Sequence, residues 1–202
     1  MTQKNSRERV LRLAHDRGFI GASEVAELGI HTQILSRLVR AGLLERVVRG
    51  TYRLSDSPVT EHHGLALAAA AVPRGVICLL SALGFHGIGT QLPFEVWLAL
   101  DRRARRPAVR YPPLRVVRFS GLALTVGIET HTLEGQSVRI YGIAKTLADC
   151  FKYRNKIGLD VALEALNDAW QKRRVTMDEI DEFAQVCRVS LVMRPYLEAL
   201  VG

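Results

Sequence analysis

The chain has 202 residues, 48% of them hydrophobic, which suits one large or two small domains with ordinary cores. Its apolar runs stop well short of the roughly 20 residues a membrane helix needs, and MTQKNSRERV does not lead into a signal-peptide core, so a cytoplasmic protein without a membrane partner is expected. The net charge of +8 resides in residues 1–140, with 19 Lys and Arg against 11 Asp and Glu, whereas residues 141–202 carry nine of each; such a chain attracts polyanions, nucleic acid before membrane.

Asn5 and Glu8 have capping-box spacing and open a first helix that places Val10, Leu13 and Ala14 on one face and ends at Gly18. Ser23 caps a short second helix with Val25 and Leu28 inward, closed by Gly29. Thr32 caps a third, QILSRLVRA, stopped at Gly42. Two short helices across a glycine-containing turn form the helix-turn-helix pattern.

The third helix divides by periodicity. Leu35, Leu38 and Val39 belong to a core with Ile34 alongside, while Gln33, Ser36, Arg37 and Arg40 follow the i, i+3, i+4, i+7 spacing of an outer stripe. Glutamine can read an adenine edge, arginine pairs with guanine in bidentate fashion, and Ser36 is short enough to admit the helix to a groove. A merely solvated face is the competing reading. LLERVVRGTYRL then supplies two β-rich segments around Arg49-Gly50, the hairpin of a winged helix, with Arg46, Arg49 and Arg53 as phosphate or minor-groove contacts. Candidate DNA-contacting residues are therefore Thr32, Gln33, Ser36, Arg37, Arg40, Arg46, Arg49 and Arg53.

SDSPVT, residues 55–60, is polar and contains proline, and it sets an expected boundary between a winged helix-turn-helix domain, 1–57, and a second domain, 58–202. HHGLALAAAAV is expected to be helical up to Pro73, and SALGFHGIG forms a further short helical turn. Strand character follows at 94–100, 114–120, 123–133 and 137–142, for which a mostly antiparallel sheet is the economical topology. Arg102, Arg103, Arg105, Arg106 and Arg110 lie between the first two strands, as a solvated loop or a second phosphate contact. Beyond Tyr141 the period is helical: stripes through Leu147 and Phe151 and through Leu163 and Leu166, a capping box at Thr176 and Glu179, and a last helix bent or started late by Pro195. The expected fold class is α+β, a winged helix followed by a small sheet with a C-terminal helical bundle.

No catalytic motif emerges. Cys78, Cys150 and Cys187 are widely spaced and read as buried free thiols, and the histidines lack metal-ligand spacing, so neither metal nor cofactor is expected. Phosphate-binding glycine loops and the nucleophile elbow are absent from the sequence. Glu95 and Asp101 would lie roughly 20 Å apart on an extended strand, too far to share an ion. In KTLADCFKYRNKIG, Lys145 and Asp149 are expected to pair on an outer side of an amphipathic helix, with Cys150 packing rather than attacking and Lys152, Arg154 and Lys156 giving a basic end. The chain is not expected to be an enzyme.

RGTYRL at the wing, SALGFHGI after the linker and IYGIAKTLADCFKYRNKIGLDVALEAL toward the end resemble the AbiEi antitoxins of bacterial type IV toxin-antitoxin systems. The resemblance implies an N-terminal winged helix that binds double-stranded DNA at repeats upstream of its own operon and represses it. It further implies a C-terminal domain that counteracts a nucleotidyltransferase-like toxin encoded next door without a stable complex between the two. By position, Thr32, Gln33, Ser36, Arg37 and Arg40 match the recognition helix and Arg46, Arg49 and Arg53 the wing.

Overall fold

Val10 and Ala14, about one turn apart and fully buried, define the inner face of α1 (Gln3–Arg17), the first helix of a computed structural model that describes residues 3–201. The helix begins ahead of Asn5, so Asn5 lies within it rather than at its cap. β1 (Ile20–Gly21) and α2 (Ala22–Glu27) follow, and the cap of α2 is Gly21 rather than Ser23: the Gly21 amide donates to Glu24 Oε2 at 3.4 Å. Thr32 is the N-cap residue of α3 (Gln33–Arg40), but its hydroxyl makes no capping bond; the Gln33 amide donates instead to His31 Nδ1 at 3.2 Å.

β2 (Leu44–Val48) and β3 (Thr51–Leu54) form an antiparallel hairpin around Arg49-Gly50, where Gly50 takes a φ of +82° that a side chain would oppose. β1 pairs antiparallel with β3, giving a three-stranded sheet in the order β1-β3-β2. Val10, Ala14, Ile20, Val25, Leu35, Leu38 and Leu44 pack into one core beneath it. Three helices followed by a hairpin, with a short strand between the first two helices, are a winged helix-turn-helix.

α4 (His63–Ala71) buries Ala66 to Ala69, and Ala66 and Leu67 pack with Phe19, Val47 and Leu133 in a second small core. These elements complete the first of two compact units, residues up to Pro73 together with His131–Val138. The boundary expected at residue 57 falls inside this unit. The reason is local bonding: the Thr60 amide and hydroxyl donate to Glu134 Oε1 at 2.7 and 3.0 Å, and the His63 ring meets Glu134 Oε2 at 2.7 Å. SDSPVT is thus followed by residues tied back to the same body.

The second unit comprises Arg74–Thr130 and the chain from Arg139 onward. Its elements begin with β4 (Val76–Ile77), α5 (Leu79–His86), β5 (Val96–Asp101) and β6 (Leu114–Phe119). α6 (Leu122–Thr125), β7 (Ile128–Leu133) and β8 (Gln136–Tyr141) come next, the last two only in part, since His131–Val138 belongs to the first unit, and the strand order is β6-β5-β4-β8-β7. The sheet is mixed rather than mostly antiparallel: β4 and β5 are antiparallel, but β5 with β6 and β4 with β8 are parallel. The arginine-bearing connection returns the chain so that Leu114 starts beside Val96 and Phe119 ends beside Asp101, which fixes the parallel sense. The expected strand at 123–133 is also divided, because the chain first turns through α6 and resumes as strand only after Gly127, at φ +71°.

Five helices complete the unit: α7 (Ile143–Lys152), α8 (Arg154–Ile157), α9 (Leu159–Gln171), α10 (Met177–Cys187) and α11 (Ser190–Val201). α10 has the capping box read from the sequence, with the Glu179 amide donating to Thr176 Oγ1 at 3.3 Å and the Thr176 amide to Glu179 Oε2 at 2.8 Å. Pro195 lies inside α11, which already begins at Ser190. α7 is central: every residue from Ala144 to Phe151 is buried, so it has no solvent side. Lys145 and Asp149 are therefore not an outer pair but a fully buried one, and Cys78, Cys150 and Cys187 are buried free thiols.

Candidate nucleic-acid interface

Leu35 and Leu38, 1% and 3% exposed, seat α3 against the core. That leaves Thr32, Gln33, Ser36, Arg37 and Arg40 on the exposed side, as the sequence periodicity requires. Arg37 Nη2 donates to Gln33 Oε1 at 3.3 Å, one turn earlier on the same stripe. This contact holds an amide and a guanidinium side by side, the two groups best suited to base edges. Among the described residues no carboxylate forms an ion pair with Arg37, Arg40, Arg46 or Arg49. These four cations thus have no ion-pair partner among the described residues.

The hairpin places its three arginines differently. In its register Glu45 faces Arg53 and Arg46 faces Tyr52, and Arg46 and the turn residue Arg49 are exposed. Arg53 is 5% exposed, paired with Glu45 across the strands, and its Nη1 lies 3.6 Å from Glu134 Oε2. Strand alternation sends Arg53 to the face covered by α4 and residues 131–138, the face on which Val47 packs against Phe19, Ala66 and Leu67. Contrary to the sequence expectation, Arg53 is buried away from any DNA-contacting surface. Burial alone would raise the Glu134 carboxyl, but the Thr60 amide, the His63 ring and the Thr60 hydroxyl together hold it below the ordinary glutamate range.

In the second unit Arg102, Arg103, Arg105, Arg106 and Arg110 are all exposed on the connection after β5. Asp101 organises the start of this loop: its carboxylate accepts the Arg103 amide at 2.7 Å and its carbonyl the Ala104 amide at 3.0 Å. Glu95, the other acid weighed as a metal ligand, is paired with Arg115. Among the described residues no three His, Cys, Asp or Glu side chains cluster as a metal site, and no helix is long and apolar enough to cross a membrane.

The group the sequence misjudged is the buried core of α7. Lys145 Nζ lies 2.5 Å from Asp149 Oδ2 and 4.0 Å from the centre of the Tyr141 ring, while Cys187 Sγ donates to Asp149 Oδ1 at 3.3 Å. Burial pushes the Asp149 carboxyl up to about 6 despite the opposing pull of Lys145. Burial, reinforced by the Asp149 charge, also raises all three thiols, Cys187 to about 12. Those shifts run opposite to what a nucleophilic cysteine needs.

Comparison with known proteins finds one family likeness over the N-terminal part of the chain and one likeness of fold. Residues 8–55, the winged helix itself, match the family described as transcriptional regulator, AbiEi antitoxin. The crystal structure of the RV2827C protein from Mycobacterium tuberculosis superimposes with a TM-score of 0.59, covering 90% of this chain and 71% of that one at 16% identity. At that identity the likeness is one of fold. No curated protein sequence matches the chain.

Proposed function

We propose that the chain is a DNA-binding transcriptional repressor that reads an operator through α3 and acts as the antitoxin of a type IV toxin-antitoxin pair. The observation that carries the DNA-binding reading is the exposed, acid-free stripe Gln33, Ser36, Arg37 and Arg40 on a helix whose opposite face is firmly cored. Thr32 lies at the leading end of the helix, where recognition helices approach bases, and Arg46 and Arg49 flank it as phosphate contacts. The match of residues 8–55 to AbiEi regulators supports the same assignment. DNA reading is assigned to residues 1–57, with the exposed arginines at 102–110 as a second phosphate contact.

The operator is a set of repeats upstream of the chain's own operon, bound in the cytoplasm without a cofactor. The antitoxin role falls to residues 58–202, which counter a nucleotidyltransferase-like toxin from the adjacent gene without catalysis and without a stable complex. Supporting this are the motifs after the wing, SALGFHGI and IYGIAKTLADCFKYRNKIGLDVALEAL, which lie in α5 and in β8 through α9.

Two experiments test the proposal. A labelled duplex from upstream of the operon should bind at least about 10³-fold more tightly than a shuffled duplex at the same salt; equal affinities would remove the repressor. Co-expression should restore growth to cells carrying the adjacent gene; persistent toxicity would remove the antitoxin role and leave a regulator.

A further inference from the structure

Residues 102–128 contain seven arginines and no aspartate or glutamate. Five of them, Arg102, Arg103, Arg105, Arg106 and Arg110, lie on the connection that takes the chain from the end of β5 back to the start of β6. For two parallel strands of six residues that return spans roughly 20 Å. All five arginines are exposed, whereas Ala104, Pro107 and Val109 between them are partly covered and Pro112 is buried. The connection thus rests on the unit through its small and apolar residues and carries its arginines outward. Among the described residues no carboxylate forms an ion pair with any of the five.

A run of like charge is by itself an ordinary solvated loop. What sets this one apart is the surface where it ends. Val96 lies beside Leu114, and its amide donates to the Pro113 carbonyl at 2.8 Å, so residues 91–95 and 110–113 meet the same end of the β5–β6 pair. There Leu92 and Phe94 are 91% and 87% exposed and Tyr111 is 54% exposed. Exposure alternates along 91–95, with Leu92 and Phe94 outward and Gln91, Pro93 and Glu95 more covered. The acids beside this surface are engaged: Glu95 pairs with Arg115, and the Asp101 carboxylate accepts the Arg103 amide.

We propose that this face binds single-stranded nucleic acid, the arginines of 102–110 following its phosphates and the rings of Phe94 and Tyr111 stacking on its bases. The proposal rests on the reading of residues 102–110 as a phosphate contact and narrows what they hold. In a duplex the base faces are stacked on one another, and outward rings would meet only sugar and phosphate. An unpaired strand offers a π face to each ring and a flexible backbone to cations set along an irregular path. Arginine suits such a strand twice over, since its guanidinium pairs with phosphate and stacks on planar rings. Cations in succession along a connection match a linear polyanion.

The full-length chain should be titrated by fluorescence anisotropy with labelled oligo-dT and oligo-U of about 12 nucleotides, and with the duplex from upstream of the operon. At about 50 mM salt the oligonucleotides should bind at about 1–100 µM, and with five phosphates neutralised the log affinity should fall against log salt with a slope of about −3.5. Phe94→Leu and Tyr111→Leu keep apolar bulk and remove the ring. Each should weaken oligonucleotide binding about fivefold or more at unchanged Tm and leave duplex affinity within about twofold, while Phe94→Trp should bind at least as tightly as the parent. Arg105→Ala with Arg106→Ala should weaken oligonucleotide binding and flatten the salt slope by about 1.4. Arg37→Ala with Arg40→Ala should weaken duplex binding alone, so failure of the recognition helix and failure of this face are read separately. Tighter binding of oligo-U or of oligo-dT supports the proposal and identifies the strand as RNA or DNA. Absence of binding to both oligonucleotides at about 100 µM would overturn it. So would undiminished binding by both leucine variants, which would leave the arginines a phosphate contact alone. If the leucine variants weaken duplex and oligonucleotide equally, the rings act on paired DNA and the single-strand site is refuted.

Discussion

Arg53 and Glu134 meet in the interior of the first unit, Nη1 3.6 Å from Oε2, with side chains 6% and 2% exposed. The contact joins the wing to the turn between β7 and β8 and leaves Arg53 Nη1 buried without a hydrogen-bond partner. An arginine that reads in sequence as a phosphate contact is instead an internal cation that depends on Glu45 and Glu134.

Removing either member takes one counter-charge from a buried group that keeps other partners, Glu45 for Arg53 and Thr60 with His63 for Glu134. Glu134→Ala and Arg53→Ala should each lower unfolding free energy by about 1–3 kcal/mol in urea titrations. Arg46→Ala and Arg49→Ala, at exposed positions, should stay within about 0.5 kcal/mol of the parent while weakening DNA binding and flattening its salt dependence. Because the Glu134 carboxyl is held below its ordinary value of 4.5, its contribution is present above that value and is lost as pH falls through the lowered one. Glu134→Gln should therefore reduce the loss of urea midpoint on acidification.

Asp149 has the opposite sign. Its folded-state value of about 6 exceeds the ordinary 3.8, so the folded chain binds the proton more tightly, and stability falls as pH rises between those values. Asp149→Asn should remove that slope. Lys145→Ala alone should cost about 3–5 kcal/mol, whereas replacing Lys145 and Asp149 together by leucine or methionine should be near neutral or stabilising. Denaturant titrations across that pH range read both effects.

Gly18 and Gly42 share nearly the same left-handed φ, +70° and +69°, but only Gly18 is enclosed. A Cβ there would fall 1.7 Å from the Glu134 carbonyl oxygen, whereas nothing lies within 4 Å of one at Gly42. Gly42→Ala should cost about 1–2 kcal/mol, the conformational part alone. Gly18→Ala should cost clearly more, because backbone at Glu134 must also move. The difference between the two in thermal or urea unfolding measures the close approach separately from the left-handed strain.

The features legible in sequence were those set by near neighbours. Helical spacing alone sorted α3 into Leu35 and Leu38 inward and Gln33, Ser36, Arg37 and Arg40 outward, and Thr176 with Glu179 marked the start of α10. Arg53 was misjudged because its buried partner, Glu134 in residues 131–138, is remote in the chain. Lys145 and Asp149 were misjudged because spacing four apart is the mark of an exposed pair, and only the packing of α7 on all sides reverses it. Parallel pairing of β5 with β6 depends on the path of a long connection whose composition reports only solvent exposure. The residues after Gly121 have strand-like composition, yet they form α6 before β7 begins.

The central claim is that α3 reads DNA through Arg37 and Arg40. Its most direct test is the dissociation constant of the chain for a duplex from upstream of its operon, measured by fluorescence anisotropy at fixed salt for the parent and for Arg37→Ala with Arg40→Ala. Each lost guanine contact should cost about 1–3 kcal/mol, so the double variant should bind at least tenfold more weakly, with a smaller loss on non-specific duplex and an unchanged Tm. An unchanged dissociation constant for the folded double variant would contradict α3 as the recognition helix.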